Sequence, residues 1–250
     1  MIGLLVPLAG LGAVLAVGAT SPPDAAAFIA ADAAPAVSQL VSVSGGQTGT
    51  GKAQRPAEPQ PATVGRVDAA WAERVASTTG IPQRALDAYA SAELALAAED
   101  PGCGVRWNTL AAIGWIESGH GTHGGSALDV DGIARPAIFG IPLTGQSSAR
   151  ITDTDAGRWD GTAEIDRAVG PLQFIPATWE TWGADGNGDG IRDPQQIDDA
   201  ALAAARYLCH DSVLTDPAGW RQAVFSYNHL DSYVDAVAGV ATDYAARADP

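Results

Sequence analysis

From Val67 onward, apolar residues recur at helical spacing in a series of stretches separated by short polar or Gly/Pro breaks. The pattern predicts helices over Ala69–Ser77, Gln83–Glu99, Trp107–Glu117, Pro176–Trp182, Asp198–His210, Gly219–His229 and Asp231–Ala246. Thr78-Thr79-Gly80 stops the first, Pro82 suits the start of the second, and Asp100-Pro101-Gly102 closes it. No strand alternation of any length is visible. Between the third and fourth helices, Ser118 to about Arg167 is rich in Gly, Pro, Asp and Thr and lacks periodicity. An irregular segment that long inside a compact domain is usually functional or folds into short strands and turns. The expected fold class is therefore all-α, one helical domain over 67–250 with a long insertion.

The chain ahead of that domain reads differently. Ile2 to Ala19 carries no charge and resembles a secretory h-region, with Val17-Gly18-Ala19 as a small-residue cleavage site, although no basic residue precedes it. About 18 apolar residues is also borderline for a membrane span. Residues 1–19 are thus expected to be a signal peptide or an N-terminal membrane anchor, and either reading exports the rest. Residues 20–66 contain runs such as Ser44-Gly-Gly-Gln-Thr-Gly-Thr-Gly51 and Pro56-Ala-Glu-Pro-Gln-Pro61. Too little apolar surface is available there to offset ordering entropy, which predicts a disordered linker.

Charge narrows the partners. The three basic and three acidic residues before Val67 cancel, so the domain carries the whole net charge of −15. Such a surface repels phosphate backbones, and nucleic acid is excluded as an expected partner. Cys103 and Cys209 are the two cysteines. In an exported chain they invite a disulfide contributing about 4–5 kcal/mol in the chain-entropy model, the alternative being two separate buried thiols.

Glu117 is the most suggestive single residue. Ile113 and Leu110 precede it by four and seven positions, so its carboxylate continues the stripe a helix would bury. Burial raises a carboxylate's pKa, and an acid still protonated near neutral pH can donate to a glycosidic oxygen. Glycines at 119, 121, 124 and 125 end the helix and leave room for a substrate. The competing reading is a helix-end glutamate half in solvent.

Other segments carry weaker chemistry. Asp185, Asn187, Asp189 and Asp193 fall at positions 1, 3, 5 and 9 of an EF-hand-like calcium loop, with Gly190 at 6 and the Ile191 carbonyl at 7. Gln196 stands at position 12, where a bidentate Glu is normal, unless Asp198 or Asp199 substitutes; the plain alternative is an acidic turn. In Gly170-Pro-Leu-Gln-Phe-Ile-Pro-Ala-Thr-Trp179, Gln173 is a polar side chain among apolar ones, to be paired with a sugar group or a backbone carbonyl. Tyr227-Asn228 ends a helix and either faces a cleft or caps it. Trp159 either stacks on sugars or belongs to the core. Glu117, His120, His123 and Asp129 lie near one another but lack the HExxH arrangement of a zinc helix, and glycines interrupt them.

Glu117-Ser118, the Gly170–Trp179 segment, the calcium-like loop after it and Tyr227-Asn228 occur in an order that resembles the lytic murein transglycosylases. The resemblance is to the membrane-bound type B subfamily and covers about Val67 to Ala246. It implies a lysozyme-like helical fold, a monomer, and peptidoglycan glycan strands as substrate. It further implies that Glu117 is the sole catalytic acid and base, and that Ser118, Gln173, Phe174, Tyr227 and Asn228 contact the glycan. A structural calcium ion in the loop is implied, with no organic cofactor. The product implied is a 1,6-anhydro-muramic acid end. Asp129, Asp131, Asp160 and Asp166, in or beside the insertion, leave a water-using muramidase open. A non-catalytic, calcium-dependent wall-binding module is the alternative from another class.

Overall fold

The computed structural model describes residues 37–38, 66–145 and 150–249. The expected leader and nearly all of the expected linker lie outside them. The described chain is mostly helical: α1 (Ala69–Thr79), α2 (Gln83–Glu99), α3 (Trp107–Ser118), α4 (Pro176–Trp182), α5 (Ile197–Cys209), α6 (Pro217–Tyr227) and α7 (Asp231–Ala248). Each lies within two residues of its sequence-predicted bounds because its ends carry local stop and start signals. The Asp68 carboxylate accepts from Trp71 N at 2.8 Å to cap α1, and Asp216 accepts from Gly219 N at 2.8 Å to cap α6. Gly80 and Gly119 close α1 and α3 in the left-handed conformation.

Helix α3 is the centre of the bundle. It packs against α2, α7 and α5, and every residue from Trp107 to Gly114 is buried. A helix apolar nearly all round belongs inside other helices, which the single-stripe reading of Leu110, Ile113 and Glu117 understated. Gly114 sets the approach of α2, since an added Cβ would lie 2.0 Å from the Tyr89 hydroxyl. Glu93 of α2 is buried and accepts from Trp107 N at 2.6 Å, so a carboxylate caps the start of α3 while pairing with Arg106 at 3.3 Å. Burial outweighs the arginine and pushes the Glu93 pKa up to about 7. Among the described residues no helix is long and apolar enough to cross a membrane.

The all-α expectation needs one correction. The insertion contains β3 (Ala127–Leu128) paired antiparallel with β4 (Ala134–Arg135), and β5 (Phe139–Pro142) paired antiparallel with β6 (Arg167–Val169). Ahead of α1, β1 (Val37–Ser38) pairs with β2 (Arg66–Val67). Strands of two to four residues are too short to show an alternating pattern, and their pairing depends on turns instead. Cys103, just before α3, and Cys209, at the end of α5, form the expected disulfide.

Candidate active site

Glu117 occupies the last turn of α3, two residues before the Gly119 stop. The chain then returns to this point in the tight turn between Val169 and Phe174, whose backbones bond to each other at 2.9 and 3.0 Å. Gly170 permits that turn. Its φ is 76°, and a Cβ there would lie 1.7 Å from the Pro194 carbonyl oxygen. Ser118 ties the two segments together: its hydroxyl donates to Pro171 O at 2.5 Å and accepts from Gly121 N at 2.7 Å. Ser118 is fully buried. Its expected contact with a glycan is therefore corrected, because its hydroxyl holds the turn against α3.

Gln173 is half-buried with φ 49°, a left-handed conformation costing a residue with a Cβ about 1–2 kcal/mol. Its side-chain Nε2 donates to Gly170 O at 3.0 Å, so the backbone carbonyl is the partner found for the amide. Phe174 is buried, edge-on to Trp179 at 5.3 Å and to Tyr227 at 5.9 Å. Tyr227 donates to Leu172 O at 2.7 Å, which clamps the end of α6 onto the turn. Burial and the nearby Glu117 charge both push its hydroxyl pKa well up. Asn228 is half-buried at the end of α6, and among the described residues its side-chain amide has no hydrogen-bond partner.

The sequence reading missed Tyr233. From the first turn of α7 its hydroxyl donates to Glu117 Oε1 at 2.6 Å. Nothing in the local sequence marks it, because only the packing of α7 on α3 brings the two together. Glu117 is half-buried; its partial removal from solvent raises its pKa to about 7, and the Tyr233 hydrogen bond opposes that rise. No neighbouring carboxylate figures among the causes. The arrangement is a single carboxyl group, bonded to Tyr233, poised to hold or release a proton near neutral pH.

Three of the four aspartates kept open for a second carboxylate have other tasks. Asp160 is buried and accepts from Thr162 N and Arg167 N at 3.0 and 2.7 Å. Asp166 is buried and accepts from the backbone and hydroxyl of Thr154. Asp129 binds Arg135 and backbone amides of its own turn. His120 bonds Tyr89 and Tyr244 through its two ring nitrogens at 3.1 and 2.9 Å, and burial lowers its pKa to about 4. Both nitrogens being engaged, a zinc reading has no support. Trp159 donates to Glu180 at 2.6 Å with Arg158 lying 4.4 Å over its ring, so it packs with its own domain.

The side chains of the calcium-like loop bond one another and the loop's own backbone. Asp185 accepts from Gly188, Asp189 and Gly190 amides, and Asn187 and Asp189 lie alongside. Gln196 does not turn into the loop. Its Oε1 caps α5 by accepting from Asp198 N and Asp199 N, and its Nε2 donates to Asp131 O. Asp199, buried, instead bridges the loop, accepting from Gly186 N at 2.7 Å and Asp193 N at 2.8 Å. Burial first, and the Asp185 charge with it, raises the Asp199 pKa to about 6. Among the described residues, the carboxylates gathered within 4.8 Å of one another are Asp153, Asp155 and Asp166 in the insertion. Backbone amides of that turn and Thr154 account for their positions.

Residues 152–224 match the family described as Transglycosylase SLT domain. The match spans the Val169–Phe174 turn and the calcium-like loop, and it bears out the resemblance to lysozyme-like lytic transglycosylases. Among solved structures, the chain is similar to the crystal structure of SltB3 from Pseudomonas aeruginosa in complex with NAG-anhNAM-pentapeptide. The identity is 16%, over 89% of this chain and 71% of that chain, with a TM-score of 0.36. At that level the likeness transfers no residue role. None of the curated proteins matches.

Proposed function

We propose that this chain is an exported peptidoglycan lytic transglycosylase in which Glu117 is the one catalytic acid and base. The observation that carries the reading is Glu117 itself, a carboxyl group with a pKa near 7, held by Tyr233 and lacking a carboxylate partner. Protonated Glu117 donates its proton to the oxygen joining N-acetylmuramic acid to the next N-acetylglucosamine, and the bond from that oxygen to muramic C1 breaks. Positive charge develops at C1. The muramic 6-hydroxyl then attacks C1 and gives its proton to the Glu117 carboxylate, which restores the acid and closes a 1,6-anhydro ring. No water is consumed.

A two-carboxylate glycosidase would place its second group roughly 5 to 9.5 Å away. Asp160 and Asp166, tied into the turns of the insertion, favour the single-residue route. Asn228, and Gln173 through its side-chain oxygen, are the groups we assign to the sugar. Phe174, Tyr227 and Ser118 shape the cleft from behind. Digestion of purified peptidoglycan with mass analysis of the products tests the reading. Ends lighter by one water and resistant to borohydride are expected; reducing ends would overturn it in favour of a muramidase.

Calcium in the 185–199 loop is part of the same proposal, as a brace for the turn that follows the cleft. The donor set suits a hard cation: Asp185, Asn187, Asp189, the Ile191 carbonyl, Asp193 and Asp199 all offer oxygen. After burial, the Asp185 charge adds to the rise of the Asp199 pKa, a repulsion that a divalent ion between them would relieve. Calcium at about 100 times its Kd should stabilise the fold by about 2.7 kcal/mol, read as a higher Tm than in chelator. Asp199→Asn should abolish that calcium-dependent shift and Gln196→Ala should preserve it. The reverse pattern would return Gln196 to the ligand set.

A further inference from the structure

Helix α3 is buried from Trp107 to Gly114 and again at Ser118, yet its next residue after that run, Trp115, is 52% exposed. Exposing an indole forgoes the burial that makes Trp useful to a fold. Two helical positions turn the direction of a side chain by about 200°, so Trp115 and Glu117 face opposite sides of α3. Trp115 walls a cavity of about 410 Å³ between the end of α3 and the C-terminal half of α7, with Gly80, Gly239, Asp243 and Arg247 around it.

Gly239 adds an independent observation. It lies inside α7, where glycine is a poor helix former. Among the described residues a Cβ built on it would meet nothing within 4 Å, so no described neighbour requires the gap. The glycine leaves that wall of the cavity bare of a side chain. At the rim, Arg247 Nη1 donates to Asp243 Oδ2 at 3.1 Å. A paired cation and anion favour neither a charged nor a purely apolar occupant. They offer hydrogen bonds to hydroxyl and amide groups while the indole offers a flat face, which is the combination that suits a pyranose ring.

We infer that this cavity is a second glycan site, taking an N-acetylhexosamine ring of a peptidoglycan strand on Trp115, on the far side of the helix from Glu117. The inference rests on the peptidoglycan reading above. A wall is a mesh of neighbouring strands, so one strand held here raises the effective concentration of the next at the cleft.

Co-sedimentation of the full chain with purified insoluble peptidoglycan, in a Glu117→Gln background, tests it. Trp115→Ala and Gly239→Ala should each weaken sedimentation by about 5- to 10-fold, and chitotetraose should compete with the parent protein. Gly239→Ala should meanwhile melt higher, since alanine is the better helix former, so binding and stability move in opposite directions. With Glu117 intact, turnover of short soluble glycan fragments should be unchanged in both variants. Unchanged sedimentation, absence of competition by the sugar, or a parallel loss of turnover on short fragments overturns the site. Retained cleavage by Glu117→Gln would instead overturn the catalytic reading, and the sedimentation result would stand apart from it.

Discussion

Glu117→Gln is expected to lower glycan-strand cleavage by at least about 10³-fold, because one residue supplies both proton transfers and each such transfer is worth about 10²–10⁴. Glutamine keeps the shape of the side chain, and its oxygen can still accept the Tyr233 hydrogen bond. What it lacks is a proton to give and a charge to take one back. The same substitution has an opposite effect on stability. The Glu117 pKa rises from 4.5 to about 7 in the fold, so its favourable contribution is complete below about 4.5 and is lost as pH rises through 7. Glutamine suffers no such loss. At pH 8 the variant should therefore melt above the wild type by calorimetry, and the difference should shrink toward pH 4.5. Wild-type cleavage, which begins from the protonated form, should fall as pH rises through about 7. Retained cleavage in the purified variant would sink the role, and a lower Tm at pH 8 would show that the ionised carboxylate is stabilising.

The helices were legible because their signals are local. Gly80, Pro82 and Gly119 punctuate the chain regardless of what packs around them. Glu117 was legible for the same reason, as a carboxylate continuing an apolar run. What escaped depends on chain segments far apart in sequence. Tyr233 reaches Glu117 across 116 positions, and no spacing rule connects them. Ser118 was read as a ligand contact from its place beside Glu117, but Pro171, 53 positions on, claims its hydroxyl. Gln196 shows a conflict between two local rules. The twelfth position of a metal loop is also the residue before a helix, and the unpaired amides of Asp198 and Asp199 win its oxygen. Asp199 then reaches back from inside the helix, which the twelve-residue template does not cover. The strands of the insertion are set by pairing alone.

Replacing both cysteines, Cys103→Ser with Cys209→Ser, is expected to cost about 4–5 kcal/mol, which for a domain of this size lowers Tm by about 8–20 °C. The two residues are 106 positions apart, and the loop they close contains α3, the insertion, the Val169–Phe174 turn and the calcium-like loop. Gln173, assigned to the sugar in the cleft, therefore lies within it together with Glu117, whereas Asn228 lies beyond it. The native ends have other restraints: both cysteines are largely buried, and Leu214 N donates to Cys103 O at 2.6 Å. The cross-link should thus act mainly on the unfolded chain, by limiting the volume that chain explores. That origin predicts two further signs in denaturant titrations of the double variant. The slope m should rise, because an uncrosslinked unfolded chain exposes more surface, and cleavage at 25 °C should stay near the wild-type rate. An unchanged slope with lost cleavage would instead mean that the bond holds the native cleft in shape, and that the folded site, not the unfolded ensemble, is what the disulfide governs.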